Sequence, residues 1–182
     1  MAESSQPNLL LVGFMGTGKS TLGRLLARRW GRPFVDTDEV VERLAGKTIA
    51  EIFSQDGEPA FRALERKVVE SHLPASGAVI ACGGGLVVPE GMGALVASKG
   101  VVVTLFASAE SILRRTEKRG HRPLLEGPDP ETRIRELLAS REKAYLACGI
   151  AVFTDGRTLQ QMVEAVERIY RREGPAFKPA QG

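Results

Sequence analysis

The sequence predicts a three-layer α/β domain, and three observations carry that expectation. Short apolar runs alternate with amphipathic helical segments from residue 9 to residue 170. A glycine-rich loop separates the first run from the first helix, and polar or glycine-rich breaks follow two later runs directly. Alternation of this kind requires βαβ crossovers, which lay helices on both faces of a parallel sheet. Ligands in such sheets bind beyond the carboxyl ends of the strands, so the three breaks are expected to share one cleft.

Leu9–Val12 reads as the first strand, with Gly13–Gly18 as loop. Leu22, Leu25, Leu26 and Trp30 then fall on one helical face that stops at Gly31. Phe34-Val35 is a second strand, broken by Asp36-Thr37-Asp38, with a helix over Glu39–Leu44. Thr48 and Glu51 make a capping box that opens a helix containing Ile52 and Phe53. Pro59 suits a first helical turn, and Phe61, Leu64 and Val68 recur behind it. Ala78–Ala81 is a third strand running into Gly83–Gly85, and Val101–Phe106 a fourth. Ser108 caps a helix that reaches about Arg119. The stretch Lys118–Pro130, rich in glycine and proline, reads as a mobile loop. Asp129-Pro130 starts a helix with the stripe Ile134, Leu137, Leu138 and Tyr145. Ala151–Phe153 is the fifth strand, and Leu159, Met162, Val163, Val166, Ile169 and Tyr170 line the last helix. One domain over residues 1–173 is expected, with a mobile lid at about 113–128 and a flexible tail over 174–182.

Composition narrows the function classes. The 182 residues are 43% hydrophobic and 26% charged, values of a folded soluble protein rather than a disordered or collagen-like chain. Two cysteines, Cys82 and Cys148, and two histidines, His72 and His121, leave no zinc spacing or disulfide framework. No apolar run approaches the 18 residues of a membrane span, and Met1–Asn8 lacks the basic-then-apolar pattern of a secretory leader. A cytoplasmic protein is therefore expected. The net charge of +3 suits nucleic acid and anionic small molecules alike, so charge does not choose between them.

Gly13-Phe-Met-Gly-Thr-Gly-Lys-Ser20 fits G-x-x-x-x-G-K-[ST] in the strand–loop–helix setting that the motif requires. Its glycines turn backbone N–H groups toward a polyphosphate, and the following helix adds its positive end. Lys19 reaches the β- and γ-phosphates, and the Ser20 hydroxyl ligates Mg²⁺. A GTPase would need Asn-Lys-x-Asp and Asp-x-x-Gly. Asn8 is the only asparagine, and no aspartate has glycine three residues on, so a small kinase remains. Asp36 and Asp38, read as extended residues, point to opposite sides, one toward the metal and one toward an acceptor; alternatively Asp38 caps the next helix. Arg141 interrupts an apolar stripe, which calls for an anionic partner or a snorkelling stem. Arg62 stands three residues before Glu65, an orienting partner or a surface pair. Gly83-Gly84-Gly85 is a bare turn, an anion nest or a place of close approach. Arg114, Arg115, Lys118, Arg119 and Arg122 form a basic cluster without an aromatic for base stacking, which suits a lid over phosphates better than nucleic acid.

These features resemble the shikimate kinase family, relatives of the nucleoside monophosphate kinases. The resemblance spans about residues 8–170 and rests on six stretches in order: Gly13–Ser20, Asp36-Thr-Asp38, Phe61-Arg62-Ala-Leu-Glu65, Gly83–Gly85, Arg122-Pro-Leu-Leu125 and Arg141-x-x-x-Tyr145. It implies ATP-dependent phosphorylation of the shikimate 3-hydroxyl by a P-loop kinase fold with five parallel strands. It implies that shikimate is held by Asp38, Arg62, Arg141 and Gly84, with Gly83 and Gly85 beside it. ATP is expected at Gly16, Thr17, Gly18, Lys19, Ser20 and Thr21, with Arg122 from the lid and Arg115 and Arg157 near the adenine. Lys19, Asp38 and Arg122 would be catalytic, and Ser20 and Asp36 would hold Mg²⁺. The expected partners are ATP and shikimate, without nucleic acid or membrane, for a monomer. The rival readings are a kinase for gluconate or a nucleoside monophosphate, and a non-catalytic nucleotide- or nucleic-acid-binding module using the Arg114–Arg122 cluster.

Overall fold

Five strands, β1 (Asn8–Gly13), β2 (Phe34–Asp36), β3 (Val79–Ala81), β4 (Gly100–Phe106) and β5 (Ile150–Phe153), form one parallel sheet in the order β2-β3-β1-β4-β5. They belong to a computed structural model that describes residues 6–117 and 129–178. β1 is the central strand, and its side chains alternate between two cores as a pleated strand requires. Leu9 and Leu11 enter one core with Leu22 and Leu26 of α1 (Lys19–Trp30) and Val163 and Val166 of α8 (Leu159–Glu173). Leu10 and Val12 enter the other, and each of these leucines, fully buried, stabilises the fold by roughly 1.5–3 kcal/mol.

The second core is covered by α4 (Gly57–Ser71), α5 (Met92–Ala97), α6 (Ala109–Glu117) and α7 (Pro130–Cys148). A third, smaller cluster of Val40, Val41, Ile52, Phe61 and Val68 binds α2 (Thr37–Ala45) and α3 (Ile49–Gln55) to α4. The helix signals hold where side chains act locally. Thr48 and Glu51 form the capping box of α3, Asp129 caps α7 through the Thr132 N–H, and Gly31 ends α1 in the left-handed region. Thr158 and Gln161 form a second capping box on α8.

In the fold, the structure corrects one expectation, on the tail, and adds one helix that was not expected. Residues 113–117 continue α6 as helix, in keeping with the helix expected behind Ser108; the rest of the expected lid, with Arg122, lies outside the described residues. The tail does not fray at Gly174: Gly174–Ala176 make a 3-10 turn and Phe177 packs against the first core. α5 escapes the sequence reading because six residues flanked by Gly91 hold few periodic positions. Met92 and Val96, one turn apart and buried, make it a helix through packing.

Candidate active site

The loop after β1 is shaped by two glycines with positive φ, Gly16 at 76° and Gly18 at 97°, a conformation that a side chain would strain. Thr17 closes the loop by donating its hydroxyl to the Phe14 carbonyl at 2.8 Å. Lys19 folds back beneath it, its ammonium donating to the carbonyls of Gly13 at 2.7 Å and Phe14 at 2.8 Å. No side chain caps the α1 N-terminus and no acidic residue occupies its first turn, so the positive end of the helix faces the loop.

At the end of β2 the structure corrects the extended pair. The helix starts at Thr37, directly after the strand, so Asp36 is the cap and Asp38 lies in the first turn. One Asp36 oxygen accepts the Asp38 N–H at 3.1 Å, and the other accepts the Ser20 hydroxyl at 2.9 Å. That carboxylate thereby ties α2 to the glycine-rich loop. Among the described residues no group of three or more His, Cys, Asp or Glu converges, so no all-protein metal cage exists there. A hydroxyl and a carboxylate in contact are instead the donor set of a hard cation that completes its shell with water and phosphate oxygens.

The break after β3 explains its three glycines by close approach. A Cβ on Gly83 would fall on the Asp38 carboxylate, one on Gly84 would lie 3.2 Å from the Met15 nitrogen, and one on Gly85 would stand 2.9 Å from the Arg62 guanidinium. The glycines let Asp38, the loop and Arg62 close on one strand end. Gly83 is pinned by donating its N–H to the buried Thr37 hydroxyl at 2.8 Å, and Tyr145 donates its hydroxyl to the Gly84 carbonyl. Gly83→Ala is expected to leave the fold intact, since the Asp38 side chain can swing away, while lowering kcat toward the level of Asp38→Asn. Steady-state rates with the melting temperature check this, and unchanged kcat would contradict it.

Arg62 and Glu65 form more than a surface pair: Arg62 Nη1 donates to Glu65 at 2.7 Å, and the glutamate side chain is only 2% exposed. Burial pushes the Glu65 carboxyl above its ordinary range while Arg62 draws it down, and burial prevails. Burial also works against the Arg62 charge, but Glu65 and Glu58 outweigh it and hold its pKa above the usual arginine value. Arg141 is half-buried, with Cζ 5.5 Å from the Phe14 ring centroid, and it turns to the cleft rather than to solvent.

The cleft these groups line measures about 950 Å³. It gathers Lys19 and Ser20 from the start of α1, Asp36 and Asp38 from the junction of β2 and α2, Gly84 and Gly85 from the turn after β3, and Arg62 and Arg141 from α4 and α7. Gly83 is not among the residues that line it. Ile49 and Phe53 of α3 give it an apolar wall that the sequence reading left unassigned. Gly16 and Gly18 also line a smaller recess of about 380 Å³, which takes in Thr17, Thr21, Arg115 and Arg157. There Arg115 donates to the Gly16 carbonyl at 3.3 Å and the Thr154 hydroxyl at 3.0 Å. Leu159, expected in the helix stripe, lines this recess and stays exposed, because the first position of α8 precedes its buried face.

A central strand followed by a P-loop, with a large charge-bearing cleft and a smaller recess both opening on that loop, defines a P-loop kinase for a small acceptor. A family profile described as shikimate kinase matches residues 15–171. A shikimate kinase of Symbiobacterium thermophilum is 44% identical over 169 residues, covering 91% of this chain and 97% of its own length. The solved structure of an Acinetobacter baumannii shikimate kinase, in complex with shikimate, superposes with a TM-score of 0.85 at 34% identity, covering 92% of this chain and 94% of that one. A gluconokinase from Sinorhizobium meliloti aligns at 16% identity with a TM-score of 0.56, over 94% of this chain and 95% of that one, a likeness of fold alone. The chain belongs to the shikimate kinase family.

Proposed function

We propose that this chain transfers the γ-phosphoryl group of ATP to the 3-hydroxyl of shikimate, a step in aromatic amino acid biosynthesis. Family membership carries the reaction class, and one observation carries its assignment to residues: Arg62 and Arg141 line the same cleft as Lys19 and Asp38. Two guanidinium groups suit a compact carboxylate, which they can grip through paired N–H···O bonds. The acceptor ring then lies by Gly84 and Gly85 with its hydroxyls toward Asp38. Asp38 orients the 3-hydroxyl and takes its proton as the new oxygen–phosphorus bond forms and the bond to ADP breaks.

ATP takes the loop Gly16–Thr21, with its base in the recess of Arg115 and Arg157. Lys19 stabilises charge on the transferring group, and Arg122 is assigned the same role on the resemblance. Positioning and electrostatics of this kind supply most of the catalysis in phosphoryl transfer. Ser20 and Asp36 are the residues that would hold Mg²⁺, which when bound neutralises phosphate charge. The protein is taken to act as a cytoplasmic monomer on small molecules, without nucleic acid or membrane. No helix among the described residues is long and apolar enough to cross a membrane.

Arg141→Lys tests the acceptor assignment. The lysine keeps the charge and loses the planar fork, so KM for shikimate is expected to rise about 10-fold or more while KM for ATP stays within about 2-fold. Equal losses for both ligands would show that Arg141 does not serve the acceptor.

A further inference from the structure

All three nitrogens of the Arg62 guanidinium already meet protein carboxylates. Nη1 donates to Glu65 at 2.7 Å, and Nε and Nη2 both donate to a single oxygen of Glu58, at 3.1 and 2.8 Å. One face of the group lies against Gly85, and the Phe61 ring centroid is 5.4 Å from Cζ. A carboxylate arriving from the cleft therefore meets an arginine whose charge is shared by two others.

The two glutamates are not equally able to yield. Glu65 is 2% exposed, and releasing it would leave a buried carboxylate without its cation, a costly state. Glu58 stands in the first turn of α4 with 61% of its side chain exposed, so it can turn into water at little cost. Its hold on Arg62 is also the poorer one, since one oxygen serves two donors. A free carboxylate can offer one oxygen to each N–H.

Resting on the shikimate reading, we propose that the acceptor carboxylate displaces Glu58 from the Nε/Nη2 edge of Arg62, making Glu58 the residue that sets acceptor affinity. Glu58 is an internal rival on that edge, and a ligand must bring an anion to displace it. Arg141, by contrast, meets the acceptor without such a competitor on its own helix one turn away, where Leu137 and Tyr145 stand.

Glu58→Gln removes the rival charge and keeps the shape. It is expected to lower KM for shikimate about 2- to 5-fold, the range spanned by an exposed ion pair. kcat and KM for ATP should stay within about 2-fold, and Glu58→Ala should move KM in the same direction. A rise in KM would overturn the proposal by showing that Glu58 holds Arg62 in place, and an unchanged KM would overturn it by showing that no exchange occurs. Wild-type turnover with shikimate is the separate arm. If it is absent, the functional reading itself fails; if it is present, the direction of the KM change alone judges Glu58.

Discussion

Replacing Lys19 by alanine is expected to lower kcat by about 10²–10³-fold, the cost of deleting one preorganised donor to a developing charge. The lysine is 8% exposed and lies beneath the loop that holds phosphates, its ammonium on the carbonyls of Gly13 and Phe14. Those bonds hold the charge near the phosphate position before nucleotide arrives. The effect belongs to turnover more than to folding. α1 is anchored by Leu22 and Leu26, which the substitution does not touch, so the melting temperature should change little. Near-normal kcat in a folded variant would remove Lys19 from the catalytic step.

Asp38→Asn is expected to lower kcat by about 10²–10⁴-fold, the range of a positioned general base, with a smaller effect on KM for ATP. The structure makes this substitution a clean one. Asp36, and not Asp38, caps α2, so the asparagine removes a charge without removing the cap. It is also isosteric, so it fits against Gly83 where a larger group would not. Retained activity would reduce Asp38 to a structural member of the first turn. A loss shared equally between kcat and nucleotide affinity would place it on the ATP side of the loop.

The phosphate loop was legible in the sequence because its chemistry depends on fixed local spacing: two glycines, a lysine and a serine on one strand–helix junction. The sheet and its paired cores were legible for a similar reason, since β1 alternates Leu9 and Leu11 against Leu10 and Val12. The Asp36–Asp38 geometry was not. Whether a three-residue strand passes directly into a helix depends on the Asp36 bonds to Ser20 and to the Asp38 N–H, one of which spans sixteen residues. Gly83–Gly85 showed in the sequence only as a break. None of the three has positive φ, so their need for glycine comes from the side chains of Asp38 and Arg62, which arrive from distant segments. Glu58 was not legible as a site residue although it stands one helical turn before Arg62, because that spacing describes any exposed ion pair.

The central claim is that this cleft phosphorylates shikimate at the expense of ATP. Its most direct test is ADP release with ATP and Mg²⁺ in the presence of shikimate, gluconate, AMP or no acceptor. Strong stimulation by shikimate alone is the predicted result. Stimulation by gluconate or AMP with none by shikimate would contradict the account, leaving a P-loop kinase whose Arg62 and Arg141 serve another acceptor.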